Sequence, residues 1–225
     1  MGRLSHRMAE VWNWEGPVRF LYRSAVKIML PLLSFRISYI YLGDLTKPFP
    51  VIAPKGEFDI RLFQGTIDLP RLLADLPKTE YIEPETIIKR IGRGDWVAVA
   101  SAGEEVAAYG WATSNPDAVR ELEQTLDFRP REMFQYDNYT VPRWRGRRLA
   151  NALGARVMQH GREIGLLRTL SYVDFETLQS QKATRRVGKR HIQTVFILNF
   201  RRMKTPWWIT FPSRRPDLEK AAAPG

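Results

Sequence analysis

The chain has 225 residues, of which 44% are hydrophobic and 26% are charged, and this composition excludes a disordered or collagen-like protein. It contains no cysteine, which excludes disulfide bonds, thiolate metal sites and cysteine nucleophiles. The formal net charge is +11, but residues 141–225 carry 18 Lys and Arg against 5 Asp and Glu, while residues 1–140 carry 17 against 19. A basic segment of this kind indicates a polyanionic partner, such as nucleic acid, an anionic membrane or a phosphorylated cofactor.

The N-terminal region is hydrophobic and basic, and it predicts an amphipathic helical extension over residues 1–45. Its longest charge-free run, at 28–35, contains a proline and is too short for a transmembrane helix. Arg19, Arg23 and Lys27 recur every four residues and fall on one stripe of a helix. Two interpretations remain open: a helix in the headgroup region of a membrane, or a helix packed on the protein with its basic stripe in solvent.

A stretch rich in proline and glycine at 43–56 separates this extension from a regular alternation of strands and helices. The hydrophobic periods predict, in chain order, a strand at 58–64, helices at 69–76 and 83–91, strands at 96–102, 106–113 and 133–141, a helix at 149–164, a strand at 170–175, a helix at 177–187, and strands at 191–200 and 207–211. This order predicts an α/β domain over 57–211 with a mixed sheet and helices on its faces, followed by a polar tail over 212–225.

The most informative local pattern is the turn from the strand at 133–141 into the helix at 149–164. Residues 140–150 read Thr-Val-Pro-Arg-Trp-Arg-Gly-Arg-Arg-Leu-Ala, which is a basic glycine turn before a helix N-terminus. Such a terminus presents unpaired N–H groups and the positive end of the helix dipole, so it favours phosphate oxygens. Gly146 lets the backbone approach a ligand closely, and four arginines supply charge-assisted hydrogen bonds. The pattern of a Walker A loop is missing.

This turn resembles the cofactor motif of the GNAT superfamily of acyl-CoA-dependent N-acyltransferases, Gln/Arg-x-x-Gly-x-Gly/Ala. Arg143 stands in its first position, Gly146 in its fourth, and Arg148 where the family has glycine or alanine. The order of elements over 57–200 is also similar to that of the family. The segment at 177–189 resembles a second family motif, with a threonine, Thr184, where the family often has the tyrosine that protonates the departing thiolate.

The resemblance implies a GNAT-like mixed central sheet with flanking helices, and acyl-CoA, with an acetyl or longer chain, as co-substrate. The implied cofactor-binding residues are Asn138, Thr140, Val141, Arg143, Trp144, Arg145, Gly146, Arg147, Arg148 and Leu149. A backbone N–H near 138–141 is expected to polarise the thioester carbonyl. No metal is expected, since the three histidines lack the mutual spacing of a metal site.

The predicted strand at 133–141 also carries the candidate catalytic side chains. Strand alternation places Asp137 and Tyr139 on one face and Tyr136 on the other. Asp137 is the candidate base for the amine, directly or through water, and Tyr139 and Tyr136 are candidates for a proton relay. The alternative for Asp137 is a solvated or hydrogen-bonded strand residue, and Glu176 at a strand end is a second candidate base.

The leading hypothesis is an acyl-CoA-dependent N-acyltransferase peripheral to the cytoplasmic face of a membrane. It would act on a lipid-type amine or use a long-chain acyl donor, and so be similar to lipid-acting members of the superfamily such as bacterial ceramide synthases. Basic pairs such as Arg201-Arg202, beside Trp207-Trp208, exceed what one coenzyme A needs and favour an anionic membrane over nucleic acid. The alternatives are a cytoplasmic acetyl-CoA-dependent N-acetyltransferase of a soluble small amine, and a non-catalytic GNAT-like module that binds RNA or acidic lipid.

Overall fold

The computed structural model describes residues 33–76, 82–123, 126–200 and 207–211. The strands in these ranges are β1 (Leu33–Asp44), β2 (Asp59–Gln64), β3 (Trp96–Ala102), β4 (Glu105–Thr113), β5 (Glu132–Thr140), β6 (Arg168–Asp174), β7 (Arg190–Phe200) and β8 (Trp207–Phe211). The α-helices are α1 (Leu69–Asp75), α2 (Pro84–Gly92), α3 (Pro116–Leu122), α4 (Leu149–Glu163) and α5 (Leu178–Arg186). Helices and strands alternate as expected from residue 58 onward, so the predicted α/β class is confirmed.

Strand β1 corrects the assignment of residues 33–44 to a helical extension. The segment contains alternating aromatic and β-branched residues, which favour a strand. Its consecutive residues Ile40, Tyr41 and Leu42 are all buried, as in a strand that is covered on both faces. The rest of the predicted amphipathic helix, at 1–32, and the predicted tail at 212–225 lie outside the described residues.

Helix α3 was not predicted, although its first turn carries a recognisable signal. Asn115 precedes the helix, and its Oδ1 accepts hydrogen bonds from the N–H groups of Asp117, at 2.9 Å, and Ala118, at 3.4 Å. Pro116 occupies the first turn, where its missing N–H costs nothing. The Asn-Pro-Asp sequence is therefore an ordinary N-cap, and it identifies the start of this seven-residue helix.

The chain divides into two compact units, and the larger one comprises residues 41–172 and 182–190. Within it, β2, β3, β4 and β5 follow one another in antiparallel pairs, and β5 and β6 pair in parallel. Helix α4 contributes one apolar stripe to the core of this unit, and small side chains of β3 and β4 pack in the same core. The buried members of that core include Leu149, Leu153, Val157 and Met158 of α4 and Ala98, Ala100, Ala108 and Ala112 of the two strands.

The described residues of the smaller unit are 33–40, 173–181, 191–200 and 207–211. Within this unit, β7 and β8 form an antiparallel ladder. Ser38 Oγ donates to Asp174 Oδ1 at 2.7 Å, which joins β1 to the end of β6. Strand β8 leaves large apolar side chains in solvent, with Trp207 55% and Phe211 58% exposed. Within the described ranges, no helix is both long and apolar enough to cross a membrane.

Candidate functional site

The parallel ladder between β5 and β6 ends before β5 does. Its last pair is Gln135 with Ser171, whereas β5 continues to Thr140. Beyond that pair, residues 136–140 remain next to β4 on one side and have no further pairing with β6 on the other. The second half of β5 therefore has an edge that is not paired with β6, which we call the opening, and backbone groups of the strand are available to a ligand along it.

A β-bulge interrupts β5 opposite Gly110 of β4. The register on either side of it pairs Tyr139 with Tyr109 and Tyr136 with Trp111. Two residues of β5, Asp137 and Asn138, therefore lie opposite the single residue Gly110. Asp137 has a φ of +47°, a backbone conformation that residues other than glycine seldom adopt. The bulge lies directly beside the opening in the sheet.

The bulge changes which side chains share a face of β5. Arg90 of α2 donates from Nη1 to Asp137 Oδ2 at 2.5 Å, and its guanidinium lies 5.0 Å from the centroid of the Tyr136 ring. Asp137 and Tyr136 thus contact the same side chain, and the simple alternation that placed them on opposite faces is wrong at this point. The extra residue of a bulge shifts the alternation by one, which the sequence pattern does not reveal.

A buried hydrogen-bond cluster fixes the hydroxyl group of Tyr136. This hydroxyl donates to Asp95 Oδ2 at 2.5 Å, and Arg93 donates to Tyr136 Oη at 3.0 Å and to Asp95 Oδ2 at 2.6 Å. Burial, followed by the negative charge of Asp95 and the hydrogen bond to it, raises the pKa of the Tyr136 phenol. The phenol is therefore protonated at neutral pH and directs its proton at Asp95.

Sequence reasoning missed the three charged residues of this cluster, Arg90, Arg93 and Asp95, which lie at the end of α2 and the turn after it. The Gly-Arg-Gly-Asp sequence at 92–95 is by itself typical of a turn and carries no signal of such a cluster. The catalytic roles of all four candidate residues, Asp137, Tyr136, Tyr139 and Glu176, stay predictions. The ring of Tyr139 lies 5.7 Å from that of Tyr109, and Glu176 belongs to the smaller unit.

The basic turn after β5 has the geometry of an open anion site. Val141 N–H donates to Ala107 O at 3.0 Å, which anchors the turn on β4. Gly146 has a φ of +79°, and no side chain or distant backbone atom lies within 4 Å of the position where its Cβ would stand. Helix α4 begins after Arg148, whose φ is +63°, and no side chain caps its first turn. The first N–H groups of α4 are therefore not used by a capping side chain and can donate to an anion.

Glu105 at the start of β4 organises the side chains of this turn. Its Oε1 accepts a hydrogen bond from Trp144 Nε1 at 2.9 Å and from Arg143 Nε at 2.8 Å. These two hydrogen bonds, from Trp144 and then Arg143, lower the pKa of the Glu105 carboxyl. The guanidinium of Arg147 lies over the Trp144 ring, 5.1 Å from its centroid. Arg143 and Trp144 are therefore held by the protein itself.

The remaining predicted cofactor residues are distributed around the same turn. Arg145 Nε donates to Thr140 O at 3.3 Å. The Arg148 side chain is exposed and has no hydrogen bond or ion pair with the part of the chain that the structure describes. Leu149 is buried in the core, and Asn138 lies against Gly110 on the face that carries α4. Exposed arginines, an uncapped helix and a sheet opening fit a ligand that combines phosphates with an extended arm.

The described residues contain no group of three His, Asp or Glu side chains arranged to hold a metal ion. No protein-family model matches the sequence, and no curated protein matches it.

Solved structures resemble the chain in fold. A GCN5-related N-acetyltransferase from Sphaerobacter thermophilus is 15% identical, with a TM-score of 0.56 over 86% of this chain and 57% of that one. A GNAT-family acetyltransferase from Colwellia psychrerythraea is 14% identical, with a TM-score of 0.54 over 78% of this chain and 60% of that one. The chain has the GNAT fold. This confirms the GNAT-like architecture predicted from the basic turn and the order of the elements. The chain spans 57% to 60% of the length of these two proteins.

Proposed function

We propose that the protein is an N-acyltransferase that moves an acyl group from acyl-CoA to an amine. The observation that carries this proposal is the junction at the end of β5. There the parallel ladder stops at Gln135 and Ser171, and the strand then leads through the Gly146 turn into the uncapped start of α4. An opening for a thioester arm and a terminus for phosphates thus lie on one continuous segment of chain.

The phosphate groups would be held by the first N–H groups of α4 and by the exposed arginines of the turn. Among these arginines, Arg148 is the one whose side chain has no hydrogen bond, ion pair or ring contact with the described residues. In place of the motif's last glycine or alanine, Arg148 supplies charge. Because its φ of +63° turns the chain directly into α4, the backbone follows the path that a glycine would otherwise provide.

Acyl-CoA, when bound, supplies an activated acyl thioester. The N–H of Val141 is already bonded to Ala107, and successive N–H groups of a strand point to opposite sides. The N–H of Thr140 therefore points toward the opening, and we assign it the hydrogen bond to the thioester carbonyl oxygen. This bond stabilises the negative charge that develops on that oxygen.

Asp137 is the group we assign to accept the proton of the attacking amine. Arg90 holds it through Oδ2, and no hydrogen bond within the described residues occupies its Oδ1. The Asp137 side chain is 26% exposed, which leaves it open to a substrate or a water molecule. Tyr136 is less suited to a proton relay, since its hydroxyl group already donates its hydrogen bond to Asp95.

Calorimetry with acetyl-CoA and palmitoyl-CoA tests this function and separates a short-chain from a long-chain donor. Gly146→Glu places bulk and negative charge in the turn, so it should weaken binding at least about tenfold, which corresponds to 1.4 kcal/mol. Gly165→Glu is the matched control, because Gly165 has a φ of +81° and equally open surroundings at the other end of α4. Failure of the wild-type protein to bind either ester would overturn the proposal and favour a non-catalytic module.

For the acceptor we propose a lipid-type or membrane-associated amine, with the protein in contact with an anionic membrane surface. The support is the basic stripe of Arg19, Arg23 and Lys27 in the sequence and the exposed aromatic side chains of β8, above all Trp207. Flotation with vesicles rich in phosphatidylserine should recover the wild-type protein and lose the triple variant in which the stripe is glutamine. Equal flotation of the two proteins would show that the basic stripe is not the anchor. No flotation of either protein would favour the soluble-amine alternative.

A further inference from the structure

A buried lysine occupies the larger unit without an opposite charge. Lys189 is 4% exposed, and it stands between Gly188 and the first residue of β7. Its Nζ donates to Ser171 Oγ at 2.5 Å, and no carboxylate within the described residues pairs with it. Burial alone lowers the pKa of this amine to about 7. Lysines are seldom buried unless they are paired with an opposite charge, so an unpaired buried lysine is a candidate functional group.

The surroundings are shaped to house this side chain. A Cβ on Gly43 of β1 would stand 3.1 Å from Lys189 Cγ and 2.7 Å from Thr169 Cγ2. It would also lie 3.6 Å from Met158 Cε of α4. A glycine inside a strand weakens the strand, and here it frees the space that the lysine stem fills. The lysine is thus accommodated by a specific backbone position.

The partner of Lys189 lies at the opening in the sheet. Ser171 is the last residue of β6 that pairs with β5, opposite Gln135, and the parallel ladder ends there. Its hydroxyl accepts from Lys189 and donates to no described residue. A hydroxyl carries one donor and two acceptor positions, so the Ser171 proton remains available to a ligand in the opening. The neighbouring hydroxyl, Thr169 Oγ1, instead accepts from Gln135 Nε2 at 3.1 Å.

We propose that Ser171 and Lys189 form a proton relay that protonates the sulfur of coenzyme A as it leaves, an inference that rests on the proposed function. Ser171 donates its hydroxyl proton to the sulfur while the bond between the acyl carbon and sulfur breaks. Lys189 returns a proton from its ammonium group to the Ser171 oxygen and becomes a neutral amine. It regains a proton from water after the products leave, while the proton of the attacking amine passes to Asp137.

The relay supplies the proton that a tyrosine often supplies in the family, at a position where this chain has Thr184. An ordinary lysine, with a pKa near 10.5, is a poor acid toward a thiolate, since a typical thiol has a pKa of about 8.5. Burial makes the Lys189 ammonium the stronger acid of the two, so transfer of its proton to the sulfur is favourable. Ser171 is then the catalytic residue, and Lys189 acts through it.

The test follows the titration of Lys189 by NMR of protein labelled with ¹³C in lysine, in three states: free, with coenzyme A, and with desulfo-coenzyme A. We expect one lysine signal to titrate near neutral pH in the free protein. Coenzyme A should shift the midpoint, because its thiol and the Lys189 ammonium share one relay and titrate as a coupled pair, whereas desulfo-coenzyme A lacks the sulfur and should leave the midpoint unchanged.

The signal is assigned by its loss in Lys189→Met and, if that variant fails to fold, by its displacement in Ser171→Ala. In Ser171→Ala, coenzyme A should bind with unchanged affinity but no longer move the lysine midpoint, while Thr169→Val should behave like the wild type. Binding of coenzyme A with no change in the wild-type midpoint would overturn the relay and leave the proposed function intact. No binding of coenzyme A would overturn both.

Discussion

The side chain of Asn138 covers Gly110 so closely that a Cβ atom on Gly110 would stand 2.2 Å from Asn138 Oδ1. Gly110 is the residue opposite the bulge in β5, so the asparagine and the glycine together accommodate the extra residue at this point. The candidate base, Asp137, directly precedes Asn138 and points to the other face, toward Arg90. The bulge therefore positions the candidate base through contacts on both faces of the sheet.

Gly110→Ala is expected to destabilise the protein by about 1–3 kcal/mol, because the new methyl group overlaps the Asn138 amide. Asn138→Ala removes that obstacle, so the double variant should recover much of the loss. A double-mutant cycle in urea measures the coupling, which we expect at about 0.5 kcal/mol or more. Strictly additive effects would contradict the contact.

Two glycines within α4 should respond oppositely to alanine. At Gly154 the new Cβ would have only Gln135 Oε1 nearby, at 3.7 Å, so Gly154→Ala should stabilise the helix by about 0.5–1 kcal/mol. At Gly161 it would stand 2.3 Å from Met133 Sδ and 3.3 Å from Leu45 Cδ1, both in side chains that are fully buried. Gly161→Ala should cost about 1–3 kcal/mol. Equal shifts in thermal midpoint would contradict this packing.

Removing the charge of Glu105 should strengthen coenzyme A binding. The amide oxygen of glutamine at 105 can still accept the hydrogen bond from Trp144 Nε1, but the substitution removes the ion pair with Arg143 and a negative charge beside the turn. We expect Glu105→Gln to bind about two- to fivefold more tightly at low salt, with the gain lost at high salt because surface charges are then screened. Calorimetry checks this, and Glu104→Gln, in the adjacent hairpin turn, is the matched control. Weaker binding would show that Glu105 is needed to shape the turn.

Lys189 should make stability depend on pH in a defined direction. The pKa of its ammonium is 10.5 in the unfolded chain and about 7 in the folded protein, where burial disfavours the charge. Between these values the unfolded state binds more protons, so the free energy of unfolding rises with pH by up to about 1.4 kcal/mol per pH unit. Urea denaturation across this window should show the rise in wild type and in Lys182→Met, an exposed lysine of α5, but not in Lys189→Met. Parallel curves for all three proteins would rule out a buried neutral amine.

Asp137→Asn should lower the turnover number at least about tenfold, because an amide cannot accept the proton of the amine. Its oxygen still accepts the hydrogen bond from Arg90, so the affinity for acetyl-CoA should stay the same. Turnover and calorimetry measured on the same preparation separate the two effects. Asp117→Asn, at an exposed position on α3, is the control and should match the wild type. Full turnover of Asp137→Asn would assign the base to another group.

The local elements of the larger unit could be predicted from sequence because each has its own period. The apolar spacing along α4 identified it as a helix, and the basic glycine turn before it was recognised from its residues alone. Strand β1 could not be recognised in this way, since its aromatic and basic residues also suit an amphipathic helix. The burial of three consecutive residues, Ile40, Tyr41 and Leu42, which identifies a strand, is seen only in the folded chain.

The α/β class, the order of the elements and the basic turn that suits phosphate can all be recognised in the sequence, because they depend on residues close together in the chain. The bulge that turns Asp137 toward Arg90, 47 residues away in sequence, and the burial that joins Lys189 to Ser171 arise only when the chain folds. The register of two strands and the loss of water around a charge depend on which distant segments meet. No pattern along a single strand contains that information.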